Sequence, residues 1–70
     1  MLGNNKMLTI VKKFHYSNIP DYRMTVSPFM LLDIINDELG TNFQIEALEK
    51  AVHEYEQKRF YSYTVIIENE

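Results

Sequence analysis

The chain has 70 residues and a mass of 8.3 kDa, with a formal net charge of −3, 46% hydrophobic and 24% charged residues, two glycines, two prolines and no cysteine. A chain of this size holds one small domain that buries roughly 60% of its unfolded surface, which disfavours two-domain architectures, disulfide scaffolds, cysteine-based zinc modules and large ligand cavities. The apolar content excludes disorder over residues 7–67, and no uncharged apolar run approaches the ~20 residues that cross a bilayer.

Residues 1–6, Met-Leu-Gly-Asn-Asn-Lys, carry no apolar run or cleavage site of a secretory leader. They are expected to be flexible, and the protein is expected to be intracellular and cytoplasmic. Phe, Tyr, Met, Ile, Asn and Lys make up 31 of the 70 residues and Gly, Ala, Arg and Pro only 8, the imprint of AT-rich codons. Low-GC bacteria, their phages and mobile elements have such genomes.

The first element is a strand over residues 7–16, rich in β-branched and aromatic side chains. Leu8, Ile10, Phe14 and Tyr16 share one parity, which Lys12 interrupts. Ser17-Asn18-Ile19-Pro20-Asp21 reads as a turn, because proline pre-sets φ and Asn and Asp bond their own backbone. Tyr22, Met24 and Val26 then alternate with Arg23 and Thr25, so the two strands form a hairpin.

Residues 28–39 read as a helix. Ser27 is the N-cap, Pro28 suits the first helical position, where its missing N–H would be unpaired anyway, and Gly40 supplies the stop. Leu31, Leu32, Ile35 and Leu39 centre an apolar arc that Met30 and Ile34 widen beyond the ~100° of a one-sided surface helix. Phe29 projects away from that arc.

A second helix is expected from Phe43 to Arg59, capped by Thr41 or Asn42, with Ile45, Leu48, Val52 and Tyr55 on its apolar side. Lys58 and Arg59 would suit the negative end of its dipole. Tyr61, Tyr63, Val65 and Ile67 alternate with polar residues in a last strand. The fold class is therefore α+β in the order ββααβ, a single domain in which a small three-stranded sheet packs on two antiparallel helices. Two placements of the last strand stay open: antiparallel beside the second strand or parallel beside the first. Val11, Phe60 and Ile66 lie off the favoured parity, so both sheet faces are expected to carry apolar surface, which together with the wide arc of the first helix favours self-association or a protein partner.

Chemistry-bearing motifs are few. The chain has no G-x-S-x-G, no glycine-rich phosphate loop and no H-E-x-x-H, and no catalytic residue, cofactor or metal site is assigned. Glu49, His53 and Glu56 or Gln57 share a helix face at metal-ligand spacing, but zinc takes ligands from more than one element, so a solvated polar face is the expectation.

Charge says more: residues 1–27 carry a net +3 and residues 28–70 a net −6. The expected function is that of a small non-enzymatic protein-binding module, an inhibitor or regulator of the phage or mobile-element kind that acts stoichiometrically on a host protein. Its contact surface would combine apolar Phe29, Met30 and Ile34 with acidic Asp33, Asp37, Glu46, Glu49 and Glu56, and its partner would be a basic, nucleic-acid-binding protein or a second copy of the chain. The alternative is a homodimeric nucleic-acid-binding regulator using Lys12, Lys13, Tyr16 and Arg23 of the basic hairpin. So few cations make that alternative weak and salt-sensitive.

Overall fold

A computed structural model describes residues 6–69; residues 1–5, where flexibility was expected, lie outside the described residues. The fold is α+β, ordered β1 (Leu8–Phe14), β2 (Tyr22–Val26), α1 (Pro28–Leu39), α2 (Leu48–Gln57) and β3 (Tyr63–Asn69), with a single 3-10 turn, Ile45–Ala47, before α2. The hairpin forms as expected, in a register that sets Leu8 opposite Val26 and Lys12 opposite Tyr22. β3 takes neither of the two placements that the sequence left open. It pairs antiparallel with β1, Phe14 opposite Tyr63 and Leu8 opposite Asn69, and the sheet order is β2-β1-β3. The physical reason lies in β1, whose first four residues are all buried: a strand apolar on both faces gains most from a neighbour on each side.

α1 has the boundaries that its sequence signals dictate. The Ser27 hydroxyl accepts the Met30 N–H at 3.2 Å and the Ser27 carbonyl accepts that of Leu31 at 2.9 Å. Gly40 ends the helix in the left-handed region at φ 66°, which glycine enters without steric cost.

The second helix starts later than expected. Phe43 is not helical, and neither Thr41 nor Asn42 caps it, because the Asn36 side chain on α1 holds this segment. Asn36 Oδ1 accepts the Phe43 N–H at 2.8 Å and the Thr41 hydroxyl at 2.9 Å, while Nδ2 donates to the Phe43 carbonyl at 3.0 Å. With the Phe43 N–H and carbonyl both engaged, the chain doubles back along α1 and becomes helical only through the 3-10 turn. The helices touch through their last turns, where the Tyr55 hydroxyl donates to Glu38 at 2.8 Å.

The core lies between the helices and one sheet face. Leu8, Ile10, Val26 and Val65 meet Leu31, Leu32 and Ile35 of α1 and Leu48, Ala51 and Tyr55 of α2. Lys12 points into this same face. Its ammonium lies 3.5 Å from Glu38 and 4.7 Å from the centroid of the Tyr63 ring, so the break in the hydrophobic pattern of β1 is met by a carboxylate and a π-face. Phe60, off the favoured parity in sequence, also turns inward, stacked on Tyr63 at 4.7 Å and edge-on to Tyr55 at 5.9 Å.

The opposite sheet face carries less free apolar surface than expected. Thr9 and Val11 at its centre are buried, and Arg23 of β2 and Glu68 of β3 form an ion pair across β1 on this face. Ile66, opposite Val11 on β3, is exposed.

Candidate functional site

The residues expected to form the contact surface fall into three groups. Phe29, Met30, Asp33, Ile34 and Asp37 share the outer face of α1, at successive i, i+3 and i+4 positions opposite the buried Leu31, Leu32 and Ile35. Phe29 is 61% and Met30 53% exposed, large values for such apolar side chains, and the carboxylates of Asp33 and Asp37 stand one turn apart beside them. Ile34 is partly covered, packed against the core with Leu39, so the surplus of the wide apolar arc narrows to Phe29 and Met30. Glu46 in the 3-10 turn and Glu49 in the first turn of α2 are solvent-exposed and extend the negative potential of the helical layer.

Glu56 stands apart from the others. Its Oε2 accepts the Ile67 N–H at 2.8 Å, which ties the end of α2 to β3 and occupies a backbone donor that an edge strand would otherwise present. It serves the architecture.

The hairpin cations do not form one patch. Lys12 faces the helices and pairs with Glu38, whereas Lys13 and Arg23 face the opposite side of the sheet, Lys13 bound to Asp21 at 2.9 Å and Arg23 to Glu68. Tyr16 is half-exposed in the turn beyond β1. Each of the three cations already has a carboxylate, and their charges are divided between two faces.

Sequence reasoning passed over a different basic region. Lys58 and Arg59 follow α2 and are exposed, and with His15 and Thr64 they line an open groove of about 390 Å³ whose apolar side is Phe60 and Tyr63. The signal was readable in part, since Lys58 and Arg59 are adjacent in sequence. His15 joins them only because its N–H bonds the Ser62 carbonyl at 3.0 Å and its Nε2 meets Thr64 Oγ1 at 3.1 Å, both contacts that span more than forty residues.

Burial, together with the Glu38 carboxylate that its hydroxyl donates to, pushes the Tyr55 phenol well above its ordinary value. The hydroxyl stays protonated and serves as a fixed donor at the joint of the two helices. Among the described residues no three His, Asp or Glu side chains come together to hold a metal ion, and Glu49, His53 and Glu56 do not converge. No described helix is long and apolar enough to cross a membrane.

Comparison with protein families, characterised proteins and solved structures finds no match to this chain.

Proposed function

We propose that the chain is a small non-enzymatic protein-binding module that docks through the outer face of α1. The observation that carries this reading is the pair Phe29 and Met30, exposed side by side on a rigid, well-capped helix and flanked by Asp33 and Asp37. Large apolar side chains held on a regular element lose little entropy on docking and fill pockets well. The partner that fits them presents an apolar pocket framed by lysine or arginine, because complementary charge speeds encounter and penalises wrong partners.

Direct nucleic-acid binding through the hairpin is the weaker reading, since Lys12, Lys13 and Arg23 would have to leave their carboxylates to meet phosphates. A stoichiometric inhibitor or regulator of a basic host protein, encoded by a phage or mobile element, accords with the acidic helical layer and the AT-rich composition.

Photocrosslinking tests the reading. A photoreactive residue at position 29 is expected to join the chain to one protein in lysate, whereas the same residue at position 64 joins none of it. The crosslinked protein, once purified, should bind the wild-type chain in a one-to-one complex and the Phe29→Ala/Met30→Ala variant at least about thirtyfold more weakly, the loss of two anchors worth on the order of 1 kcal/mol or more each. Equal binding by the variant would remove α1 as the contact.

A further inference from the structure

We infer that the groove between the end of α2 and the start of β3 binds a phosphate ester carried beside a planar ring, the chemistry of a nucleotide unit. This site is separate from the docking face of α1 and does not depend on it. Phe29 and Met30 lie in the first turn of α1, next to Val26, which pairs with Leu8; the groove lies where Phe14 pairs with Tyr63, at the other end of the sheet.

Lys12, Lys13 and Arg23 are each paired with a carboxylate, while Lys58 and Arg59 have no carboxylate partner among the described residues and line one groove with His15. The single acid of that groove, Glu56, spends one carboxylate oxygen on the Ile67 N–H. Arg59 brings a planar fork of donors, Lys58 a mobile ammonium and Thr64 a hydroxyl, a set suited to an anion with several acceptor oxygens.

The groove, about 390 Å³, is larger than a phosphate alone needs. Phe60 and Tyr63 form its apolar side, stacked on each other, and Tyr61 between them in sequence is 90% exposed. Tyr61 does not line the groove, but next to it in sequence its exposed ring offers a π-face on which a base carried beside the phosphate can stack. A bare helix end would also attract Lys58 and Arg59 through its dipole, but that explanation leaves their shared lining with His15 and Thr64 unaccounted for.

The two sources of this chemistry are a free nucleotide and a single-stranded nucleic acid, and one titration separates them. Amide and side-chain NMR signals of the full chain are followed at about 20 mM salt, where phosphate contacts are strongest, with adenosine monophosphate, adenosine, and a short single-stranded oligodeoxyadenylate. Adenosine monophosphate is expected to shift His15 and residues 58–64 and adenosine to leave them in place. A Lys58→Gln/Arg59→Gln variant, which keeps the aliphatic stems and the urea midpoint, should bind about tenfold or more weakly. An oligonucleotide that binds at least about tenfold more tightly than the monophosphate supports the site and identifies a strand as its natural ligand; its logarithmic salt slope should then lie near −1.4 to −2, about −0.7 for each of two or three phosphates. Equal affinity supports the site and identifies a free nucleotide.

No shift with either phosphate ester, equal shifts with adenosine, or undiminished binding by the variant would overturn the inference. Each of those results leaves the docking face of α1 untouched.

Discussion

At the scale of single residues, two polar side chains decide local structure that hydrophobic patterning does not reach. Asn36 holds both backbone groups of Phe43 and the Thr41 hydroxyl from a half-buried position on α1. At roughly 0.5–1.5 kcal/mol for each net hydrogen bond, Asn36→Ala should cost about 2–3 kcal/mol, read as a lower urea midpoint. Tyr55 is the second such residue. Its ring is fully buried and its hydroxyl donates to Glu38, so its phenol titrates higher in the folded state than in the unfolded one. Above the unfolded value of about 10 the unfolded chain releases the Tyr55 proton and the folded chain keeps it, so this contribution to stability is complete below pH ~10 and falls by about 1.4 kcal/mol for each further pH unit. Tyr55→Phe should flatten the alkaline decline in stability measured by urea unfolding between pH 9 and 11, a window set about the unfolded phenol value. An unchanged slope would locate the decline elsewhere.

At the scale of elements, what was readable from sequence was whatever short-range chemistry decides. The limits of α1 were readable because Ser27, Pro28 and Gly40 act on their immediate neighbours. Gly40 has nothing within 4 Å of where a Cβ would stand, so Gly40→Ala should cost only the backbone strain of φ 66°, about 1 kcal/mol, and Ser27→Ala a similar amount through the lost cap. Thermal unfolding of the two single variants and the double should show near-additive losses, as the sites lie at opposite ends of one helix.

The start of α2 and the place of β3 were not readable, for the same reason. Asn36 reaches Phe43 across a turn, and β3 pairs with a strand some fifty residues upstream. Periodicity reports which face of an element is buried, not which neighbour covers it. Glu56 shows the same limit in the candidate site: its place on a polar helix face is visible in sequence, whereas the Ile67 N–H it accepts is not. Glu56→Ala should lower stability by about 1.5–3 kcal/mol and speed exchange of the Ile67 amide, while Glu56→Gln, which keeps an acceptor, should restore most of the protection.

At the scale of the whole molecule, the distribution of pairing separates structure from function. Arg23 with Glu68 spans the open face of the sheet, Lys12 with Glu38 closes the end of the core, and Lys13 with Asp21 braces the hairpin turn. These pairs engage three of the cations of the basic hairpin. Two exposed groups stand at opposite ends of the sheet: Phe29 and Met30 among aspartates at one, Lys58 and Arg59 beside aromatic rings at the other. Docking through the outer face of α1 is tested by titration of the crosslinked partner against folded variants. Phe29→Ala/Met30→Ala should lose at least about thirtyfold in affinity, chiefly through faster dissociation, and Asp33→Lys/Asp37→Lys should slow association at low salt with less effect at high salt, both with unchanged urea midpoints. Wild-type affinity in the Phe29→Ala/Met30→Ala protein would contradict the account.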